Sequence, residues 1–208
     1  MKRKLFLACI LLLPFISKAQ GNDKNFDLGF TLSPNLSWIT NDGDKLVSDG
    51  AKPSFTYGII ADIGFAQNYF FSTGFTITSL HSQAEITANA REKYKLQYID
   101  IPLTLKLKSN TLNERRFYGQ FGLGTGINIA AKKDVKSLMA AGSGEDIGIS
   151  SDVNAIRLGL VAGAGVEWNI GKNLSVVTGL TLNNTFTKTF KNYDSKNPYL
   201  TLNLGLFF

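Results

Sequence analysis

Cysteine is almost missing from this chain. The single one, Cys9, lies among the first nineteen residues, so a chain cut after Ala19 has no thiol and no disulfide. Histidine is as scarce. His81 is the only one, it makes no metal site by itself, and no cluster of Asp or Glu supplies the other ligands. Proline occurs five times in 208 residues. Beyond the N-terminus, no apolar run approaches the roughly 18 residues of a transmembrane helix. A strong charge of one sign is lacking too. The formal charge of +6 falls to +2 once Lys2, Arg3, Lys4 and Lys18 leave with residues 1–19. The clustered basic face of a nucleic-acid binder is therefore not expected, and neither is a nucleic-acid partner.

What is present begins with an export signal. Lys2, Arg3 and Lys4 precede the apolar stretch from Leu5 to Ile16, and Ser17 and Ala19 stand at −3 and −1 of a cut before Gln20. The expected organisation is a signal peptide over 1–19 and one domain over 20–208. Cys9 sits too early in the apolar stretch to serve as a lipidation site.

Hydrophobic residues make up 44% of the chain, and glycine is abundant at 20 residues. The apolar residues recur at every second position, which is the period of a strand. Eight segments carry this pattern: Phe26–Thr40, Phe55–Ala66, Tyr69–His81, Tyr94–Lys108, Arg116–Ala130, Val153–Trp168, Leu174–Phe186 and the C-terminal stretch. In the last, Leu200, Leu202, Leu204, Leu206 and Phe208 alternate with Thr201, Asn203 and Gly205. The connections alternate as well. Gln67–Asn68, Ser109–Arg115 and Asn169–Asn173 are short, whereas Asn41–Ser54, Ser82–Lys93, Lys132–Asp152 and Thr187–Pro198 are long and polar.

Charge separates a membrane reading from a soluble one. Asp, Glu, Lys and Arg stay off the apolar faces of the segments, except for Lys95 at a loop end, where a lysine can snorkel. The opposite faces carry Asp62, Asp100, Lys106, Arg157 and Glu167 among Gly, Ser, Thr and Asn. A soluble barrel or sandwich would turn its charges outward. Aromatic residues such as Phe26, Trp38, Phe55, Tyr69, Phe117, Trp168 and Phe208 lie near segment ends, as interfacial girdles do. The expected fold is all-β: an eight-stranded antiparallel up-and-down transmembrane β-barrel. It would sit in the cell outer membrane with both termini periplasmic. Phe208 would be the assembly signal read by the barrel assembly machinery.

The stretch LQYIDIPLTLK from Leu96 to Lys106 resembles the strand of the PorT-like outer-membrane β-barrel family of Bacteroidetes that carries a tyrosine, an acidic residue and Ile-Pro. FYGQFGLGTG, from Phe117 to Gly126, is similar to the Gly-rich aromatic strand that follows it, and the aromatic C-terminus matches. The resemblance covers the chain beyond the signal. It implies an outer-membrane barrel, and one branch of the family takes part in a secretion system.

The interior of an eight-stranded barrel is just wide enough for side chains to fill. Asp62, Asp100, Lys106, Arg157 and Glu167 are therefore expected in buried ion networks inside the lumen, because an unpaired buried charge is costly. Pro102 has no N–H to donate and predicts a bulge or irregular pairing near it. The inward glycines should leave room for Tyr98 and Tyr118. Ser79, His81 and Glu85 could make a rim hydrolase, but such pairs arise often by chance, so no catalytic residue is assigned. The Gly-rich runs lack the Lys-Ser/Thr of a phosphate loop, and no cofactor is expected. Lys132, Lys133 and Lys136 could meet lipopolysaccharide phosphates. The function expected is that of a non-enzymatic monomer, structural or interaction-mediating through its outer loops. The alternatives are a narrow channel, a secretion component with an unknown partner, and a lipid-modifying hydrolase.

Overall fold

The computed structural model describes residues 26–41, 47–87, 90–137, 144–171, 173–192 and 194–208. The expected signal segment and the Ala19–Gln20 cut lie outside the described residues. Among the described residues eleven strands follow one another: β1 (Phe26–Ser37), β2 (Thr40–Asn41), β3 (Val47–Ala66), β4 (Tyr69–Thr87), β5 (Ala90–Lys108), β6 (Arg115–Ser137), β7 (Gly144–Gly148), β8 (Ile156–Asn169), β9 (Ser175–Thr185), β10 (Ser195–Lys196) and β11 (Tyr199–Phe207).

Nine of them form one antiparallel sheet in the order β5-β4-β3-β1-β11-β9-β8-β6-β7, and β5 also pairs with β6, so the sheet closes on itself. The strand β7 lies outside this closure, on the far part of β6. The strands β2 and β10 make a separate two-stranded sheet through Asn41 opposite Ser195 and Thr40 opposite Lys196. The expected eight segments thus recur as strands of a closed all-β barrel, with three short strands added in the long connections.

Strands alternate because their side chains do. Phe30, Leu32, Phe55, Ile59, Phe75, Leu103, Phe121, Leu182 and Leu204 are all exposed on the outside of the closed sheet. The intervening Ser33, Asp62, Ser72, Thr76, Asp100, Thr104 and Thr201 are buried inside it. Apolar groups out and polar groups in is favourable only where the surroundings are lipid.

The ring is taller at one end than the alternation suggested. Residues 47–54, 82–87, 90–93 and 132–137, expected as loop, are strand. The β4–β5 ladder runs up to Thr87 opposite Ala90, and the β5–β6 ladder up to Ala90 opposite Ser137. Backbone pairing needs no apolar face, so polar sequence extends the walls without penalty. Within this extension the polarity reverts to that of a water-soluble protein. Leu80, Ala84, Tyr94, Leu96, Tyr98, Ala131 and Ile149 form a buried core inside, together with Ile39, Val153, Phe190 and Tyr199. The sequence signal is a change of parity on β5: Tyr94, Leu96 and Tyr98 are buried, then Ile99 begins the outward apolar row.

At the other end the turns are tight. Asn68 accepts from the Lys108 backbone N–H at 2.9 Å, which ties the β3–β4 turn to the end of β5. Leu112 and Arg115 exchange two backbone bonds of 2.9 and 3.0 Å around Asn113 and Glu114, which have φ of 48° and 63°. Two consecutive left-handed residues are the signature of a type I′ hairpin.

Candidate functional site

Among the described residues two ion clusters occupy the membrane-embedded part of the lumen, and strand register explains both. At the turn end, Asp27 on β1 stands directly opposite Asp62 on β3. Two carboxylates so placed repel, and Lys108 on β5 answers both: its Nζ lies 3.0 Å from each, and 2.9 Å from Glu167 Oε2 on β8. Lys106 Nζ donates to both oxygens of Asp62 at 2.9 Å, and the Ser72 hydroxyl adds a bond of 2.6 Å. Lys108 also stands 4.4 Å over the Phe70 ring, and Lys106 lies 5.4 Å from that of Phe207. Cations over ring faces gain attraction where water is absent.

Farther along the lumen, Asp100, Gly126 and Arg157 stand side by side on β5, β6 and β8. Gly126 is the reason the outer two meet. A Cβ there would collide with Asp100 Oδ1 and approach Arg157 Nε to 3.3 Å. With no side chain between them, Arg157 Nη2 reaches Asp100 Oδ1 and Oδ2 at 2.8 and 2.6 Å. The guanidinium lies 4.3 Å from the Tyr98 ring and 4.9 Å from that of Tyr199. Tyr118 uses the same device. It crosses Gly165 and Gly179, where a Cβ would come within 2.6 Å of its hydroxyl, and meets Asn203 Nδ2 at 3.4 Å.

The five lumen residues named from sequence thus fall into two separate groups, Asp62, Lys106 and Glu167 near the turns and Asp100 with Arg157 deeper in. Lys108, which bridges three carboxylates, and its partner Asp27 share the lumen-facing parity, but alternation alone does not single them out. Phe207, buried beside the exposed Phe208, breaks the polar parity of the lumen face and carries no signal in the alternation.

Between the two clusters the lumen keeps some space. A cavity of about 100 Å³ is lined by Thr31, Thr56, Thr76, Gln120, Asn183 and Arg157, and one of about 70 Å³ lies toward Lys106 and Tyr118. Arg157 Nη1 is buried with no protein partner. Ile60, Pro102 and Val161 also line both spaces, and a cavity of about 100 Å³ beside a buried guanidinium has room for water.

The proline expectation is met in an altered form. Pairing of β4 with β5 lapses between Asp100 and Thr104, around Pro102, but the register on either side is unchanged. The register shift lies instead at Gln97/Tyr98, between β5 and β6. The β1–β11 ladder lapses likewise between Thr31 and Asn35, which bracket Pro34. There Ser33 Oγ accepts from the Leu204 N–H at 3.0 Å and Thr31 Oγ1 donates to the Leu204 carbonyl at 2.9 Å. Hydroxyls take over backbone bonds that the opened ladder leaves unmade.

At the loop end, Glu92 accepts from the Tyr94 hydroxyl and from Lys133 Nζ, at 2.8 Å for the lysine. Lys133 therefore faces inward, unlike Lys132, and does not belong with the outward phosphate-facing lysines expected from sequence. Lys95 lies 2.8 Å from Asp134 and 3.2 Å from Asp146. Bonds to Asp134 and then Asp146 raise its pKa, while the Asp146 N–H and then Lys95 lower that of Asp134. His81 places Nδ1 3.1 Å from the Pro53 carbonyl, and Ser79 is only 3% exposed, a poor position for a nucleophile that must meet a lipid ester. Glu85 lies opposite Arg91 in the β4–β5 ladder. Among the described residues no three His, Cys, Asp or Glu side chains converge on a metal position.

A closed antiparallel sheet, apolar outside and charged within, defines the class of membrane-spanning β-barrels. The model of the outer membrane protein beta-barrel domain matches residues 18–205, and the chain belongs to that family. It is an outer-membrane protein, with Phe26 and Phe208 on the periplasmic side, where the tight turns lie. Among solved structures it is similar to Neisserial surface protein A, at 12% identity and a TM-score of 0.49 over 88% of this chain and 96% of that one. It is also similar to Ail of Yersinia pestis, at 17% identity and 0.44 over 88% and 99%, and to OprG of Pseudomonas aeruginosa, at 11% and 0.45 over 88% and 94%. No curated protein matches the chain.

Proposed function

We propose that this chain is a monomeric, eight-stranded up-and-down barrel of the PorT-like type, non-enzymatic and non-conducting, which acts through its extracellular cap. The observation that carries this reading is the occupied lumen. The Lys106–Asp62–Lys108–Glu167 cluster fills the periplasmic part, Arg157 and Asp100 the middle, and the core around Leu80, Leu96 and Phe190 the extracellular part. A lumen filled in this way leaves the cap as the surface on which partners can act. The cap carries paired wall extensions and the β2–β10 sheet, which support a recognition surface better than bare loops do.

In this reading residues 1–19 are a signal removed between Ala19 and Gln20, and Phe208 is the mark read by the barrel assembly machinery. The PorT-like assignment rests on LQYIDIPLTLK in β5 and FYGQFGLGTG in β6. Outer-membrane lipids, including lipopolysaccharide, are its surroundings, and a secretion-system component is its candidate partner. Single-channel recording in planar bilayers tests the closed lumen. Discrete conductance steps from purified protein would overturn it in favour of a narrow channel. The cavity beside Arg157 is the observation that keeps this second reading in view. Affinity capture from intact outer membranes tests the secretion partner.

A further inference from the structure

The outward face of the wall extension carries a strip of cations that the closed-barrel reading does not use. On β5, Arg91, Lys93 and Lys95 face outward between the buried Glu92, Tyr94 and Leu96. On β6, Lys132, Asp134 and Lys136 face outward beside them, with Lys132 and Lys136 exposed. Register sets Lys95 directly opposite Lys132 and Arg91 directly opposite Lys136. Like charges in directly opposed strand positions destabilise a sheet. The carboxylates nearby compensate unevenly. Asp134 and Asp146 hold Lys95 at 2.8 and 3.2 Å, whereas Lys132 Nζ comes no nearer than 3.8 Å to Asp146.

Height gives this strip its meaning. The lipid-facing row on β5 runs from Ile99 to Leu107, a length that matches the roughly 9–11 residues of a tilted membrane strand. Lys95 is two outward positions beyond Ile99. The strip therefore begins where hydrocarbon ends and headgroups start.

We infer that the outward face of the β5–β6 extension binds the phosphates of bisphosphorylated lipid in the outer leaflet. This inference rests on the outer-membrane orientation proposed above. A phosphate beside Lys132, or beside Lys136, adds charge-assisted contacts where register sets two cations opposite each other. Lys133, turned inward to Glu92, takes no part.

The test uses the folded full barrel in zwitterionic detergent, with bisphosphoryl lipid A, fully dephosphorylated lipid A and inorganic phosphate as probes. Retention is read by native mass spectrometry. The variant K132Q/K136Q should hold bisphosphoryl lipid A about tenfold more weakly or worse, by the contribution of cations near an anionic surface. K132R/K136R should match the unsubstituted protein, as should K188Q on the β9–β11 connection. Dephosphorylated lipid A should be held equally weakly by all of them. Thermal stability of K132Q/K136Q without lipid should be no lower than that of the unsubstituted protein, because a repulsion has been removed. Undiminished retention by K132Q/K136Q, or equal retention of the dephosphorylated lipid, overturns the inference. Inorganic phosphate bound as tightly as the lipid overturns its assignment to the membrane. The heat-induced gel shift reports separately on the barrel, so failure of the strip and failure of the barrel reading look different.

Discussion

Asp100 and Arg157 are the residues on which burial and charge act most sharply. Each is buried, and each satisfies the other across the gap that Gly126 leaves. Asp100→Asn keeps the shape and removes the charge, so the guanidinium stays behind in a low-dielectric lumen. Breaking a buried pair from one side costs about 3–5 kcal/mol, whereas removing both charges costs less. The expected outcome is an earlier heat-induced gel shift for Asp100→Asn and partial recovery in Asp100→Asn/Arg157→Gln. An unchanged shift in the single variant sinks the structural role. Phe208 is the other residue with a sharp expectation. Its N–H donates to the Leu28 carbonyl at 2.8 Å, and its ring stands 5.8 Å from Phe30, so it also closes the β1–β11 seam. Phe208→Ala should slow membrane insertion and lower its yield; normal assembly kinetics would rule out the signal role. Face and burial of such residues were legible from two-residue alternation alone. Partnership was not, because Asp100 and Arg157 are 57 positions apart and meet only through the registers of two ladders.

At the scale of single strands and turns, glycine and proline decide what a closed sheet tolerates. Gly179 is pressed by the Tyr118 hydroxyl at 2.4 Å and the Ala164 carbonyl at 2.6 Å from where a Cβ would be. Gly179→Ala should destabilise the barrel by about 1–3 kcal/mol, the usual cost of overpacking, measured by urea unfolding in lipid. Glu114 points the other way. It holds φ at 63°, a conformation that costs a residue with a side chain about 1–2 kcal/mol. Glu114→Gly makes the Asn-Gly turn that this hairpin prefers and should raise stability by about 1 kcal/mol in the same assay. Strand ends were the least legible feature. The walls continue through residues 82–87 and 90–93, where charged and polar side chains suggested loop, because ladder bonds depend on backbone and not on hydrophobicity. A change of apolar parity near Tyr98 was the available signal, and it marks where β5 leaves lipid for water.

The whole molecule is a barrel with two regimes. In the membrane its outside is apolar and its inside charged. Above the membrane its outside is charged and its inside holds the core around Leu80 and Leu96. Each regime follows the solvent around it, since lipid rewards exposed apolar groups and water rewards buried ones. A plugged lumen and a packed cap predict no ion conductance in planar bilayers at any voltage the bilayer withstands. They also predict that the paired walls of the cap, 82–87, 90–96 and 131–137, resist proteolysis on intact cells. Early cleavage within Tyr94–Leu96 or Ala131–Lys133 would contradict the paired extension.

The sequence by itself determined the class of fold, the lipid-facing rows, the lumen-facing charges and the end at which the short turns lie. All of these follow from local alternation and composition, which the solvent selects one strand at a time. Only the tertiary structure decided which lumen charges meet, that Lys108 bridges three carboxylates, that Lys133 turns in while Lys132 turns out, and that like charges stand opposite each other on β5 and β6. The physical reason is register. Alternation fixes the face of a side chain, but the residue across the gap depends on how each strand slides against its neighbours around a closed ring.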